Sequence, residues 1–249
     1  GGVAVGYHSA TERDVRGALA TVALVMAVEL PAQEPPAPTA FTARRLAMVE
    51  VIAERGVTDS ATLGALRAVP RHEFVPAERR RDAYGDFPLP IGFGQTISQP
   101  YIVGYMTEVL RPRPGMRVLE VGTGSGYQAA VLAAIGCEVF TIEIFEALAG
   151  SARERLARLG YDRVSVRHGD GFDGWSDAAP FDAVIVTAAA GFIPPPLVDQ
   201  LRPGGRMIIP VGTVYGVQYL VLVEKAASGE VHTRQLLPVR FVPLLSGLR

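Results

Sequence analysis

A run of glycines and three carboxylates stand at spacings that could hold a nucleoside-bearing ligand. Residues 118–127 read Val-Leu-Glu-Val-Gly-Thr-Gly-Ser-Gly-Tyr, an apolar strand that breaks into a glycine turn and enters an alanine-rich helix. Glycines there let the backbone turn sharply and bring its amide N–H groups, and the helix N-terminus, close to a ligand. The dinucleotide fingerprint would be G-x-G-x-x-G, yet Tyr127 occupies its last place. The pattern is instead Gly122-x-Gly124-x-Gly126 preceded by an acid, Glu120. A carboxylate at that point repels a pyrophosphate and suits a cationic ligand. Glu143 ends the next strand, 23 residues further on, where an acid can accept both ribose hydroxyls. The third strand runs into Gly169-Asp170-Gly171, a carboxylate beside a tight turn that can accept from an adenine amino group. Any one of these features is also explained as a plain turn or a solvated strand end. Together they fall in order at the carboxyl ends of successive strands, where open α/β sheets bind ligands.

A second segment, residues 86–101, carries three prolines and two glycines and ends in Gln95-Thr96-Ile97-Ser98-Gln99-Pro100-Tyr101. Its composition predicts an irregular, ordered loop packed over a cleft, anchored by Ile91 and Ile97. Ser98 has two readings: an N-cap for a helix over 102–110, since Ser-x-Pro suits a helix start, or a site residue. No metal is expected, because His8, His72, His168 and His232 are scattered and none has ligand spacing. Cys137 is the single cysteine, so no intramolecular disulfide forms.

The elements that position these residues alternate strand and helix. Strands are predicted over 117–121, 139–142, 164–168, 183–186 and 207–211, and helices over 127–135, 147–159 and 195–201, the last stopped at Arg202-Pro-Gly-Gly205. This spacing argues a Rossmann-like, doubly wound, mostly parallel sheet with helices on both faces. Stretches 218–223 and 234–242 have β character and predict an antiparallel edge. Two N-terminal helices lead in, one from Phe41 closed by Gly56, the other from Ser60 as N-cap to Pro70.

The chain thus divides into an N-terminal extension, 1–40, and a domain, 41–249. Within the extension, Arg13 and Arg16 precede an apolar run, 17–30, followed by a proline-rich stretch, 31–38. The run is too short to span a bilayer, which needs about 20 apolar residues, so no stable membrane association is expected. It reads either as a non-native or poorly ordered extension or as an export signal, although Glu29 and the long preceding segment argue against a signal. A cytoplasmic location is expected, with export or a periplasmic location as the alternative. Net charge is −1 with 49% apolar residues. That supports a sizeable core and removes the electrostatic case for nucleic-acid binding.

The glycine turn with its three acids resembles the class I S-adenosylmethionine-dependent methyltransferases. The resemblance implies that Gly122, Gly124 and Gly126 wrap the methionine part of S-adenosylmethionine, with Glu120 near its amino group, Glu143 on the ribose, and Asp170 with Gly171 at the adenine. The stretch Leu-Pro-Ile-Gly-Phe-Gly-Gln-Thr-Ile-Ser-Gln-Pro-Tyr ending at Tyr101 is similar to the active-site loop of the protein-L-isoaspartate O-methyltransferases, bacterial type. Residues 69–76 (Val-Pro-Arg-His-Glu-Phe-Val-Pro), 169–184 and 239–244 (Val-Arg-Phe-Val-Pro-Leu) agree with the same family, and Val184 stands where Ile is usual. The resemblance runs from about Phe41 to Leu245.

It implies that Ser98 is the active-site residue, that Gln95, Thr96 and Ile97 line the site, and that Gln218 lies near the cofactor. Thr213 falls in a looser match. The implied substrate is the free carboxylate of isoaspartyl residues in damaged proteins and peptides. Such a carboxylate is already ionised at neutral pH, because free carboxyls titrate near about 4. No general base is then required, in keeping with the lack of any His-Asp or Cys-His constellation. Ser98 is expected to orient the carboxylate by a hydrogen bond rather than to be a nucleophile, and a monomer is expected. Three alternatives remain: a class I methyltransferase for a small molecule or other macromolecule, a nicotinamide-dependent oxidoreductase, and a binding protein with a relic site.

Overall fold

The computed structural model describes residues 39–213 and 215–247. The apolar run 17–30 and the proline-rich stretch 31–38 lie outside the described residues.

Helix α1 (Ala40–Glu54) starts where Thr39 accepts the Thr42 N–H, and it buries Met48, Val49 and Ile52. Helix α2 (Ser60–Ala68) is capped by Asp59, not by Ser60 as the sequence suggested. The Asp59 carboxylate accepts both the Thr62 N–H and its hydroxyl at 2.7 Å, a stronger cap than a serine hydroxyl supplies. Two 3₁₀ turns, Arg71–Phe74 and Ala77–Asp82, then lead to the segment that carries Ser98.

That segment is not irregular. Strand β1 (Leu89–Gly92) and strand β2 (Gln95–Ile97) pair antiparallel around Phe93, forming a short hairpin. Gly92, Phe93 and Gly94 all have positive φ, which is how the chain reverses in so few residues. Its prolines and glycines thus build a hairpin tip, a possibility composition alone does not separate from a loop. Helix α3 (Pro100–Leu110) follows, with Gln99 at the N-cap and Pro100 in its first turn. Ser98 is therefore not the cap. Asp86 does that work from outside the helix, its Oδ1 accepting the Tyr101 N–H at 2.9 Å.

Strand β3 (Arg117–Val121), helix α4 (Tyr127–Ile135), strand β4 (Glu138–Glu143), helix α5 (Glu146–Arg158) and strand β5 (Val164–His168) form two successive crossovers. Strand β6 (Phe181–Val186), helix α6 (Pro195–Asp199), strand β7 (Leu201–Val211), strand β8 (Gln218–Lys225) and strand β9 (Val231–Val239) complete the chain. The seven strands lie in the order β5-β4-β3-β6-β7-β8-β9, parallel through β7 and antiparallel for β8 and β9. This is the doubly wound sheet with an antiparallel edge expected from the sequence. Helix α6 stops two residues short of the predicted end. The Arg202-Pro-Gly-Gly205 stretch belongs to β7, where the β6–β7 register shifts between Phe181 and Ala183.

Alternate residues of each central strand feed two cores. Val118, Ala183, Ile185 and Ile208 face one side with α1 to α4, while Leu119, Val121, Val184, Val186 and Met207 face the other with α6. Both faces are apolar because both are covered. Helix α4 is apolar all round because α2 closes over its outer side. The order of winding reverses between β3 and β6, so the cleft opens where their carboxyl ends diverge, at Gly122 and Thr187.

Candidate active site

Gly122 leaves β3 with φ +98°, and a Cβ there would overlap the Thr187 hydroxyl at the end of β6. Thr187 Oγ1 donates to the Gly122 carbonyl at 2.6 Å and lies within reach of the Val121 carbonyl at 3.1 Å. The two strand ends are thus pinned across the switch point. Gly171 is required for space rather than dihedral freedom, since a Cβ on it would overlap Val121. Gly126 stands apart from its neighbours: it packs toward Leu156 of α5 and lines none of the cavities below.

Three cavities meet over this point. The smallest, about 30 Å³, is lined by Glu120, Gly122, Gly124, Ile97 and Ser98 among others. A second, about 50 Å³, runs past Gln95, Glu143, Phe145, Gly171 and the C-terminal residues Val242, Pro243, Leu244 and Leu245. The third is larger, about 460 Å³, and holds Ser98 with Arg55, Gln99, Tyr101, Phe241 and Val242. Thr96 and Thr187 line all three, and Ser98 lines both the smallest and the largest. The hairpin roofs the glycine turn. Ile91 Cδ1 lies 3.2 Å from where a Gly124 Cβ would stand, and Phe93 stacks on Phe145 with ring centres 5.5 Å apart.

The acids differ in what they hold. Glu143 accepts the Gly124 N–H at 2.7 Å and the Phe145 N–H at 3.0 Å, so it braces the glycine turn and still has acceptor capacity for ligand hydroxyls. Asp170 accepts the N–H groups of Phe172 and Gly247, tying the C-terminal residues beside the second cavity. Glu120 is fully buried and neither of its oxygens has a hydrogen-bond partner among the described residues. Burial, reinforced by repulsion from Glu143, pushes its carboxyl up to about 8. An orphaned acid beside a glycine turn fits a cationic amine, the group that the α-amino end of S-adenosylmethionine would bring.

Gln218 does not join this cluster. Its amide pairs with the backbone of Phe241 through both ends, at 2.6 Å and 3.2 Å, and lines none of the three cavities. The sequence reading passed over Thr187 and the C-terminal residues 242–245. The strand-end logic that picked out Glu143 applies equally to Thr187, which directly follows the apolar run of β6.

Glu120 gives the first prediction. The free enzyme holds this carboxyl protonated below about pH 8, whereas pairing with a cation needs it ionised. Cofactor affinity should therefore rise with pH, by up to about tenfold per unit, until Glu120 ionises. In the cofactor-free protein the sign is opposite. Between the ordinary value of 4.5 and about 8 the folded state keeps a proton that the unfolded chain has lost, so stability falls as pH rises through that window. Titration calorimetry on Glu120→Gln should show weaker binding with that pH slope gone. An unchanged slope would move the linkage to another group.

A doubly wound sheet with glycines and acids at successive strand ends, an orphaned acid in the cleft, and an antiparallel edge define a class I S-adenosylmethionine-dependent methyltransferase. The model of the protein-L-isoaspartate(D-aspartate) O-methyltransferase family matches residues 43–249, and the chain belongs to that family. It is similar to protein-L-isoaspartate O-methyltransferase 2 of Syntrophobacter fumaroxidans, 62% identical over 76% of each chain. It is also similar to protein-L-isoaspartate O-methyltransferase 1 of Cupriavidus necator, 50% identical over 92% of this chain and 93% of the other. Among solved structures, a Plasmodium falciparum chain assigned to these methyltransferases and bound to S-adenosyl-L-homocysteine superposes with TM-score 0.71. It is 26% identical, over 81% of this chain and 98% of that one. The activity is methyl transfer from S-adenosylmethionine to isoaspartyl residues of proteins. Among the described residues no helix is long and apolar enough to cross a membrane.

Proposed function

We propose that Ser98 orients the free carboxylate of an L-isoaspartyl residue for in-line attack on a methyl group presented from the glycine-turn side. The observation that carries this reading is that Ser98 lines both the open cavity of about 460 Å³ and the small cavity containing Glu120 and Gly122. Its hydroxyl engages no other described residue, while its carbonyl is held by Arg71.

When bound, S-adenosylmethionine supplies an electrophilic methyl group on a sulfonium. Gly122 and Gly124 would bring backbone close to its methionine part, Glu120 would pair with its amine, and Glu143 would accept from its ribose. Asp170 and Gly171 would border the adenine. Gln95, Thr96 and Ile97 would close the hairpin over it. Gly126 supports this arrangement through α4–α5 packing, and Gln218 through its grip on Phe241.

The substrate carboxylate arrives ionised, so the chain's residues align it and exclude water rather than create a nucleophile. Ser98 Oγ–H donates to one carboxylate oxygen and leaves the other to attack. The methyl ester formed is then attacked by the backbone nitrogen of the next residue. Methanol leaves and a succinimide closes, which water opens in part to normal aspartate. The backbone of residues 90–98 would meet the substrate in extended form, which suits flexible damaged segments of any sequence. We further propose that the enzyme domain begins near residue 41, that the protein acts as a monomer in the cytoplasm, and that nucleic acid is not a partner.

Prolonged incubation of one isoaspartyl peptide with excess S-adenosylmethionine tests the repair cycle. The aspartyl isomer should accumulate, with more than one S-adenosylhomocysteine formed per peptide repaired, because part of the succinimide reopens to isoaspartate. Esterification with no aspartyl isomer appearing would leave methylation without repair.

A further inference from the structure

Arg71 is completely buried in the 3₁₀ turn Arg71–Phe74, yet among the described residues no carboxylate lies within ion-pair distance of it. Its Nε donates to the Ala83 carbonyl at 2.8 Å and its Nη2 to the Ser98 carbonyl at 2.7 Å, while Nη1 has no hydrogen-bond partner among the described residues. The guanidinium carbon sits 4.8 Å from the centre of the Tyr127 ring. Tyr127 is the first residue of α4, directly after the glycine turn, and its buried hydroxyl has no well-aligned hydrogen bond among the described residues but interacts favourably with the Arg71 guanidinium. Burial lowers the proton affinity of Arg71, but a guanidinium stays charged in proteins.

Burying such a cation with two carbonyls and the Tyr127 ring and hydroxyl for company is costly, and an apolar side chain would fill the space more cheaply. What an apolar side chain cannot do is hold two carbonyls at fixed angles with a rigid fork. The residues just after Ser98 have another clamp: Asp86 holds the Gln99 side chain and the Tyr101 N–H. The Ser98 carbonyl itself is held by Arg71.

We infer that Arg71 is a positioning residue for methyl transfer: it fixes the Ser98 backbone against the Tyr127 end of the glycine-turn helix, and so sets the gap between substrate carboxylate and methyl donor. This rests on the assignment of Ser98 as the orienting residue. The consequence is selective, because Arg71 lines none of the three cavities. Displacing Ser98 by a fraction of an ångström to an ångström should cost turnover far more than binding.

The test uses Arg71→Lys, which keeps a buried cation but cannot span both carbonyls, and Arg71→Met, which removes the charge. Turnover is expressed per site that binds S-adenosylhomocysteine, so any misfolded fraction drops out. In Arg71→Lys, kcat on an isoaspartyl peptide should fall about 10- to 100-fold, with peptide KM and S-adenosylhomocysteine affinity within about threefold of the parent. The double variant with Ser98→Ala should be no slower than Ser98→Ala alone, since the fork then positions a hydroxyl that is no longer there.

Three results would overturn the inference. One is kcat within about threefold of the parent in both Arg71 variants. Another is loss of S-adenosylhomocysteine binding in step with turnover in both, which is what a scaffold residue gives. The third is multiplicative losses in the double variant. Full turnover in Ser98→Ala alone would instead strike at the assignment of Ser98 on which the inference stands.

Discussion

Replacing Ser98 by alanine should lower kcat by about 100-fold or more while leaving S-adenosylmethionine affinity within about threefold of the parent. The magnitude follows from what the hydroxyl is placed to do. A hydrogen-bond donor held in position at a reacting oxygen commonly contributes two to three orders of magnitude, and positioning a nucleophile in line contributes more. The fold should tolerate the change, because Ser98 is only half-buried and its hydroxyl braces nothing else. The hairpin register, the Asp86 clamp and the Arg71 fork all act through the backbone or through neighbouring side chains. A covalent role for Ser98 makes a different prediction, since label from the cofactor would then pass transiently onto the enzyme. Steady-state kinetics with a direct binding titration checks the first expectation. Turnover of Ser98→Ala within about threefold of the parent would remove Ser98 from the mechanism.

Gly122→Ala should abolish cofactor binding at ordinary concentrations and lower stability. Two penalties act together. Alanine at φ +98° is strained by about 1–3 kcal/mol, and its Cβ collides with the Thr187 hydroxyl that pins β3 to β6, an overpacking cost of about 1–3 kcal/mol. Thr187→Ala in the same chain removes the collision and leaves the strain, so stability should recover only in part. Gly150→Ala in α5 is the control: its Cβ meets nothing within 4 Å, and alanine there should be neutral or slightly stabilising. Thermal unfolding and a cofactor titration read out both effects. Normal binding by Gly122→Ala would show that the ligand does not approach this backbone.

Much of the fold was legible because local and global signals agree. Helix α4 and strand β5 fall on their predicted limits: the first is bounded by Gly126 and Gly136, and the second enters the Gly169-Asp170-Gly171 turn. At two elements that open on an exposed glutamate the prediction started one residue late, at Glu138 of β4 and Glu146 of α5. The charge belongs to a solvent-facing end and carries no periodic signal. The hairpin of residues 89–97 was read as a loop because prolines and glycines mark a tight reversal and irregular chain alike. Ser98 had the composition of a cap, but capping came from Asp86, a dozen residues upstream.

The site divides along the same line. Glu120 and Glu143 could be picked out because they lie at the carboxyl ends of recognisable strands, and Gly122 because it opens a glycine turn. Asp170, in the turn after β5, lines none of the three cavities and only borders the second through Gly171. Arg71 and the C-terminal residues 242–245 reach the site or its supports only through the folded chain, whereas Thr187 directly follows β6 and was open to the same strand-end reasoning. Gln218 shows the converse: a polar residue at a suggestive place spends its hydrogen bonds on Phe241.

One measurement bears on the activity most directly. The enzyme is incubated with methyl-labelled S-adenosylmethionine and two peptides identical except that one carries isoaspartate where the other carries aspartate. Base-labile label should appear on the isoaspartyl peptide and stay at background on its isomer. Label on both alike, or on neither, would contradict a site built around the isoaspartyl carboxylate beside Ser98.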